Sequence, residues 1–350
     1  MPAPADKSFF GQTFFGNPST VRVLEEMIES KRMAQTLLLS GPEGVGKATL
    51  ARHFAAQLLG DAAKIEQDDL SLPANRDLIE DREKWPSERR NEDPLLFSSH
   101  PDFITFAPDG PMRQISIQQM RVLKERASLK PLKGAWRVFL IDGIDRANEQ
   151  AANSLLKTLE EPPSHLMIIA TARNPYDLLP TIRSRVVSFA MARLNEEEMR
   201  GFMASRNLNE PERRSFLAEG CPGRAVMLDL EVYDRRREAM LALLKVARGQ
   251  AQYGTWLKYC DSIAARRGES LQDYVEVLYI LLEDVLRLAH NAGPIRNQDV
   301  RRELTELAQG VSFPWVRAAL ARADDMLRLA RRNIQKALAL DAFATALRAP

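Results

Sequence analysis

Residues 36–50 read Thr-Leu-Leu-Leu-Ser-Gly-Pro-Glu-Gly-Val-Gly-Lys-Ala-Thr-Leu, and no other stretch limits so tightly what the chain can fold into. The apolar run Leu37–Leu39 stops at Gly41, and a helical pattern starts after Lys47 through Leu50, Ala51, Phe54, Ala55 and Leu58. Strand, glycine loop and helix in that order make a phosphate cradle. Glycines let backbone N–H groups turn inward around phosphate oxygens, and the helix N-terminus adds partial positive charge. Lys47 adds a full one. Gly41, Pro42, Glu43, Gly44, Val45, Gly46 and Lys47 are therefore candidate nucleotide-binding residues, with Ala48 and Thr49 at the helix start.

Ala48 breaks the pattern. A phosphate loop of this kind has Ser or Thr there, and its hydroxyl ligates Mg²⁺. Thr49 is one residue late, and one residue on a helix is about 100° of rotation. The expectation is a loop shaped for phosphates with part of its metal site missing. ATP would bind weakly or not at all, and Mg²⁺ only with nucleotide. The alternative is a glycine-rich turn.

A second segment completes such a site. Trp136-Arg-Val-Phe-Leu-Ile-Asp142-Gly-Ile-Asp145 has four consecutive apolar residues ending in aspartate. That fits a strand buried on both faces, with Asp142 at the carboxyl end where ligands bind in open parallel sheets. Active hydrolases of this type place a glutamate next, to orient the attacking water. Here it is Gly143.

Further strands are indicated at Phe103–Phe106, Met167–Thr171 and Val187–Phe189, with helices at 18–30, 115–128 and 147–161 between them. Strands alternating with helices over residues 20–190 specify a parallel sheet with right-handed crossovers. Residues 61–93 interrupt with eleven acidic and six basic side chains and few large apolars; they read as a solvated, mobile insertion. His100 has no partner histidine nearby and reads as a cap or turn contact. From 194 onward only helices are suggested, at 195–206, 210–219, 223–229 and 234–247, then along Tyr274–Leu286, Trp315–Ala330 and Ile334–Leu347. Arg317, Arg322, Arg328, Arg331 and Arg332 read as a solvated face.

Composition narrows the class. With 49 basic and 47 acidic side chains the net charge is +2, which argues neither for nor against nucleic acid. No apolar run approaches the ~18 residues of a membrane span, and residues 1–16 lack a basic-then-apolar signal. Cys221 and Cys260 share no CxxC motif, so free thiols in a reducing cytoplasm are expected and a cysteine-built metal site is excluded.

Four strings together resemble the AAA+ clamp-loader subunits: Gly-Pro-Glu-Gly-Val-Gly-Lys47, His100-Pro-Asp102, Asn153-Ser-Leu-Leu-Lys-Thr-Leu-Glu-Glu-Pro-Pro163 and Ser184-Arg185-Val186. Gly220-Cys-Pro-Gly-Arg224 resembles that family's second sensor, and Asn333–Leu347 its C-terminal helix. The resemblance implies an α/β P-loop (AAA+) domain with a parallel five-stranded sheet over residues 1–192. A small helical lid over 193–231 and an all-α collar, the oligomerisation domain, over 232–350 would follow. It implies that Arg185 is an arginine finger acting on a neighbour's nucleotide, and that Thr171 and Arg224 are sensor candidates. Thr171-Ala172 stands where the family often has Thr-Thr. Implied partners are the other subunits of a hetero-pentamer (gamma/tau and delta), the sliding clamp, and primed DNA through phosphate contacts. Arg121, Lys124 and Arg126 are DNA candidates only as basic residues on one helix. The family's motor subunits keep the loop Ser/Thr and the catalytic glutamate, and carry a four-cysteine zinc module. This chain has Ala48, Gly143 and the acidic insertion instead, so no zinc is carried over. A subunit with a degenerate ATPase site and a working finger is expected. Two alternatives stand: an ATP-hydrolysing motor with a degenerate-looking site, and a nucleotide switch with no role in replication.

Overall fold

The computed structural model of the chain describes residues 14–266, 269–330 and 335–348. The backbone forms two compact units. One runs to residue 207 and takes in 220–227; the other comprises 208–219 and the chain from 228.

The first unit is built on one sheet of six strands: β1 (Thr36–Ser40), β2 (Leu96–Phe97), β3 (Phe103–Phe106), β4 (Arg137–Ile141), β5 (Leu166–Ala172) and β6 (Val187–Ala190), in the order β2-β3-β4-β5-β1-β6. β3, β4, β5, β1 and β6 run parallel, which gives the five parallel strands expected. β2 adds a sixth, antiparallel strand at the edge. Two residues are too short to leave a periodic signal.

The apolar runs of β1, β4 and β5 follow from burial on both faces. Successive side chains alternate across a strand. Leu37, Leu39, Val138, Leu140, Met167 and Ile169 face one way, against Leu24 of the helix Pro18–Ser30 and Leu50 and Phe54 of the helix Lys47–Leu59. Leu38, Phe139, Ile141 and Ile168 face the other, against Met120 of the helix Ile117–Ala127 and Leu155 of the helix Glu149–Glu160. Pro162-Pro163 stops the last of these, as proline must.

The acidic insertion departs from expectation: it is folded. It holds helices Ala62–Ile65, Pro73–Glu83 and Ser87–Glu92. Two buried arginines organise it. Arg52, 2% exposed, reaches from the loop helix to Glu66 (3.0 Å) and Asp69 (2.5 Å). Arg82, also 2% exposed, pairs with Asp109 (2.8 Å) and Asp93 (3.2 Å). Trp85 carries the Arg89 guanidinium over its ring at 3.6 Å. Buried charges persist only when paired and hydrogen-bonded, so the acidic residues serve as partners here. Composition counts charges but cannot show that an arginine from outside the segment neutralises them. His100 makes the expected turn contact: its Nδ1 accepts from the Asp102 N–H at 3.1 Å.

The second unit holds helices and no strand among the described residues: Pro211–Ala218, Leu230–Ala247, Tyr253–Ala265, Leu271–His290, Arg301–Ala308, Phe313–Ala330 and Lys336–Arg348. Its core gathers Trp256, Tyr274, Leu278, Leu281, Leu304, Leu340 and Phe343. The helices Tyr253–Ala265 and Arg301–Ala308 leave little sequence signal. The first carries Gly254 and buries only Trp256 and Ile263; the second is eight residues long. Arg317, Arg322 and Arg328 are exposed. Arg331, Arg332 and the start of the Asn333–Leu347 string lie outside the described residues.

Candidate functional site

The parallel order places β5 between β1 and β4, so three carboxyl ends meet. β1 delivers the glycine loop, β4 delivers Asp142, and β5 delivers Thr171, which stands in register with Leu39. The Thr171 hydroxyl donates to Asp142 Oδ1 at 2.6 Å and accepts from the Gly143 N–H at 2.8 Å. Lys47 Nζ donates to the carbonyls of Gly41 (2.7 Å) and Pro42 (2.8 Å). Burial lowers the Lys47 pKa, against the pull of Asp142, Glu43 and Asp145. Glu43 pairs with Arg173 at 2.6 Å and lies 4.0 Å from Arg146.

The Gly220–Arg224 turn lies directly on this loop. The Gly223 N–H donates to the Gly44 carbonyl at 2.8 Å. Gly44 has φ +80°, and a Cβ there would stand 2.9 Å from the Arg224 nitrogen. Only glycine meets both demands. The helix Pro222–Met227 thus starts against the phosphate loop, with the exposed Arg224 in its first turn. Phe14 covers the other side: a Cβ on Gly46 would be 3.2 Å from its ring. The sites proposed from separate strings (41–49, 142, 171 and 224) are brought together here.

The loop lacks one oxygen that a hydrolytic Mg²⁺ site of this kind uses, because Ala48 offers no hydroxyl. The Asp142 carboxylate accepts from Thr171 at Oδ1. Gly143 sits at φ 85°, ψ 54°. Its lack of a side chain is matched by a backbone that a glutamate would adopt only under strain.

Arg185 lies elsewhere. Its carbonyl accepts from Thr36 Oγ1 at 2.6 Å, and Thr36 is the first residue of β1. Arg185 therefore belongs to the amino edge of the sheet, while the loop is at the carboxyl edge. Five strand residues between them span about 16 Å. The Arg185 side chain is 32% exposed and pairs with Glu160 at 2.6 Å. Its Nη1 donates to the Thr181 carbonyl (2.8 Å) and to Ser184 Oγ (3.1 Å). Arg121, Lys124 and Arg126 are exposed on the helix Ile117–Ala127.

Sequence reasoning assigned no role to Asp145, Arg146, Arg173, Phe14 or Glu160. Asp145 and Glu160 lie within recognisable motifs, but their partners are set only by the fold. Arg173 carries a signal in hindsight, since it follows the sensor strand directly.

The family of DNA polymerase III, delta subunit, matches residues 87–195. The chain is 33% identical to DNA polymerase III subunit delta' of Pseudomonas aeruginosa over 45% of its length and 43% of that protein's. It is 28% identical to subunit delta' of Escherichia coli over 63% and 66% of the two chains. A DNA polymerase III subunit gamma of Buchnera aphidicola is 29% identical over 56% and 47%. The aligned part spans 43 to 66% of these relatives' own lengths. Among solved structures, a gamma subunit-related protein of Thermotoga maritima superposes with a TM-score of 0.45 at 17% identity, over 93% of this chain and 98% of that one.

Proposed function

The chain belongs to the AAA+ clamp-loader family, with delta-prime-like character, and from that premise we propose that it is a clamp-loader subunit of the DNA polymerase III holoenzyme that lends an arginine to a neighbour's ATP site. Its own site holds nucleotide weakly or not at all, and Mg²⁺ only with nucleotide; no zinc module is assigned. It assembles with gamma/tau and delta subunits in a hetero-pentamer that places a sliding clamp on primed DNA, with Arg121, Lys124 and Arg126 as candidate phosphate contacts.

The observation that carries this reading is the separation of Arg185 from its own glycine loop. An arginine anchored at the amino edge of β1 by Thr36 cannot reach phosphates at the carboxyl edge about 16 Å away. It is half-exposed instead, where a second chain can present its own nucleotide. A guanidinium never deprotonates in this range and presents a fork that matches phosphoryl oxygens. Placed on a neighbour's transferred phosphoryl group, it offsets the developing charge, worth about 10³–10⁵ in rate in related NTPases. Within the chain's own site, Lys47 and Asp142 keep the architecture, but no residue takes the water-orienting position.

The test is DNA-stimulated ATP hydrolysis by the reconstituted assembly. Arg185→Ala should slow turnover at the site it faces by about 10³-fold or more. Lys47→Ala should leave that turnover intact. The reverse pattern would make this chain a motor, and no effect of Arg185→Ala would remove the finger.

A further inference from the structure

Glu160 is the last residue of the helix Glu149–Glu160 and is followed by Glu161-Pro162-Pro163. A carboxylate there faces the negative end of the helix dipole, the wrong sign for that position. Its compensating partner is Arg185, 2.6 Å away. The helix starts beyond the carboxyl end of β4 and returns to the amino edge, so the crossover itself delivers Glu160 to Arg185. We propose that Glu160 is an internal counter-anion that restrains Arg185 until a neighbour's phosphates compete for it. This rests on Arg185 being the arginine that acts on the neighbouring site.

Position and charge can be separated at this arginine. Thr181 O and Ser184 Oγ both take hydrogen bonds from Nη1, and the Arg185 carbonyl is held by Thr36. These contacts orient the side chain without Glu160. The carboxylate acts on Nη2 alone, at side-chain exposures of 32% and 45%. What it adds is negative charge beside the cation. A phosphoryl group approaching Arg185 must displace that charge or share the guanidinium with it. An exposed pair of this kind is weak, so restraint rather than a block is expected, of at most about fivefold in rate.

The experiment uses the assembly reconstituted with its partner subunits, in which the site facing Arg185 is the only hydrolytic one left competent. Glu160→Gln keeps the shape and removes the charge. It should raise kcat for ATP about two- to fivefold. The gain should shrink as ionic strength rises, because salt already screens the wild-type pair. In an Arg185→Ala background the same change should do nothing, since interacting residues are not additive. An unchanged or lower kcat for Glu160→Gln, with Arg185→Ala still inactivating, would overturn the restraint and leave the finger standing. An inert Arg185→Ala would overturn both. A thermal unfolding midpoint equal to wild type excludes a folding defect in each variant.

Discussion

The two edges of one sheet hold their arginines and lysines in different settings. At the carboxyl edge, Lys47 is turned onto the carbonyls of its own loop, Arg173 onto Glu43, and the Gly223 backbone onto Gly44. These contacts are all made within the same chain. At the amino edge, Arg185 keeps a third of its side chain in solvent, beside a scaffold that is buried. Asp102, fully buried, pairs with Arg137 at 3.1 Å and accepts the N–H groups of Leu132 (2.8 Å) and Lys133 (2.7 Å). The contrast is one of place: the glycine loop lies at the carboxyl edge of the sheet and Arg185 at the amino edge.

The largest expected effect probes the exposed end of that contrast. Arg185→Ala in the assembly should slow the facing site by about 10³-fold or more, and single-turnover ATP hydrolysis measures it. The scaffold comes next. Asp102→Asn leaves Arg137 buried without its counter-charge, and urea unfolding should report a loss of about 3 kcal/mol or more. The pH dependence follows the same residue. Burial would raise the Asp102 pKa, but the two backbone N–H groups and Arg137 outweigh it and hold it below the ordinary 3.8. The folded state thus prefers the carboxylate. That stability is present above about pH 4 and is lost as pH falls through the depressed value. The Asn variant should show none of this component in acid titrations of unfolding.

The carboxyl edge should respond differently. Gly44→Ala forces a side chain into φ +80° against the Arg224 backbone, and should lower stability by about 1–3 kcal/mol in the same urea assay. Weakest of all should be the attempt to restore catalysis. Ala48→Thr combined with Gly143→Glu returns the missing groups, yet Gly143 has a left-handed backbone. ATP turnover by the purified chain should stay at background; a measurable rate would show that the two edges differ only in side chains.

Much of the fold was legible because it depends on local pattern. Continuous apolar runs marked β1, β4 and β5, and alternating helices required a parallel sheet. The insertion misled because Arg52 lies outside it in sequence, and Arg82 is neutralised by Asp109, 27 residues away. β2 was too short to see. At the site, the string 41–49 was legible residue by residue, and Ala48 and Gly143 announced a missing hydroxyl and a missing carboxylate. That Gly143 also has a backbone unsuited to glutamate was not legible, since φ is set by contacts made after folding.

Residue types alone indicated a phosphate-loop α/β architecture and the lack of a loop hydroxyl at Ala48, and the family resemblance singled out Arg185. Each depends on chemistry carried by one short string. The tertiary structure decided which edge of the sheet Arg185 occupies, that Glu160 lies against it, and that Gly223 rests on Gly44. Those facts arise from strand order and crossover direction, which bring together groups 25 to 179 residues apart. The glycine loop predicts a phosphate cradle; the hydrogen bond from Thr36 to the Arg185 carbonyl places that arginine at the opposite edge of the sheet.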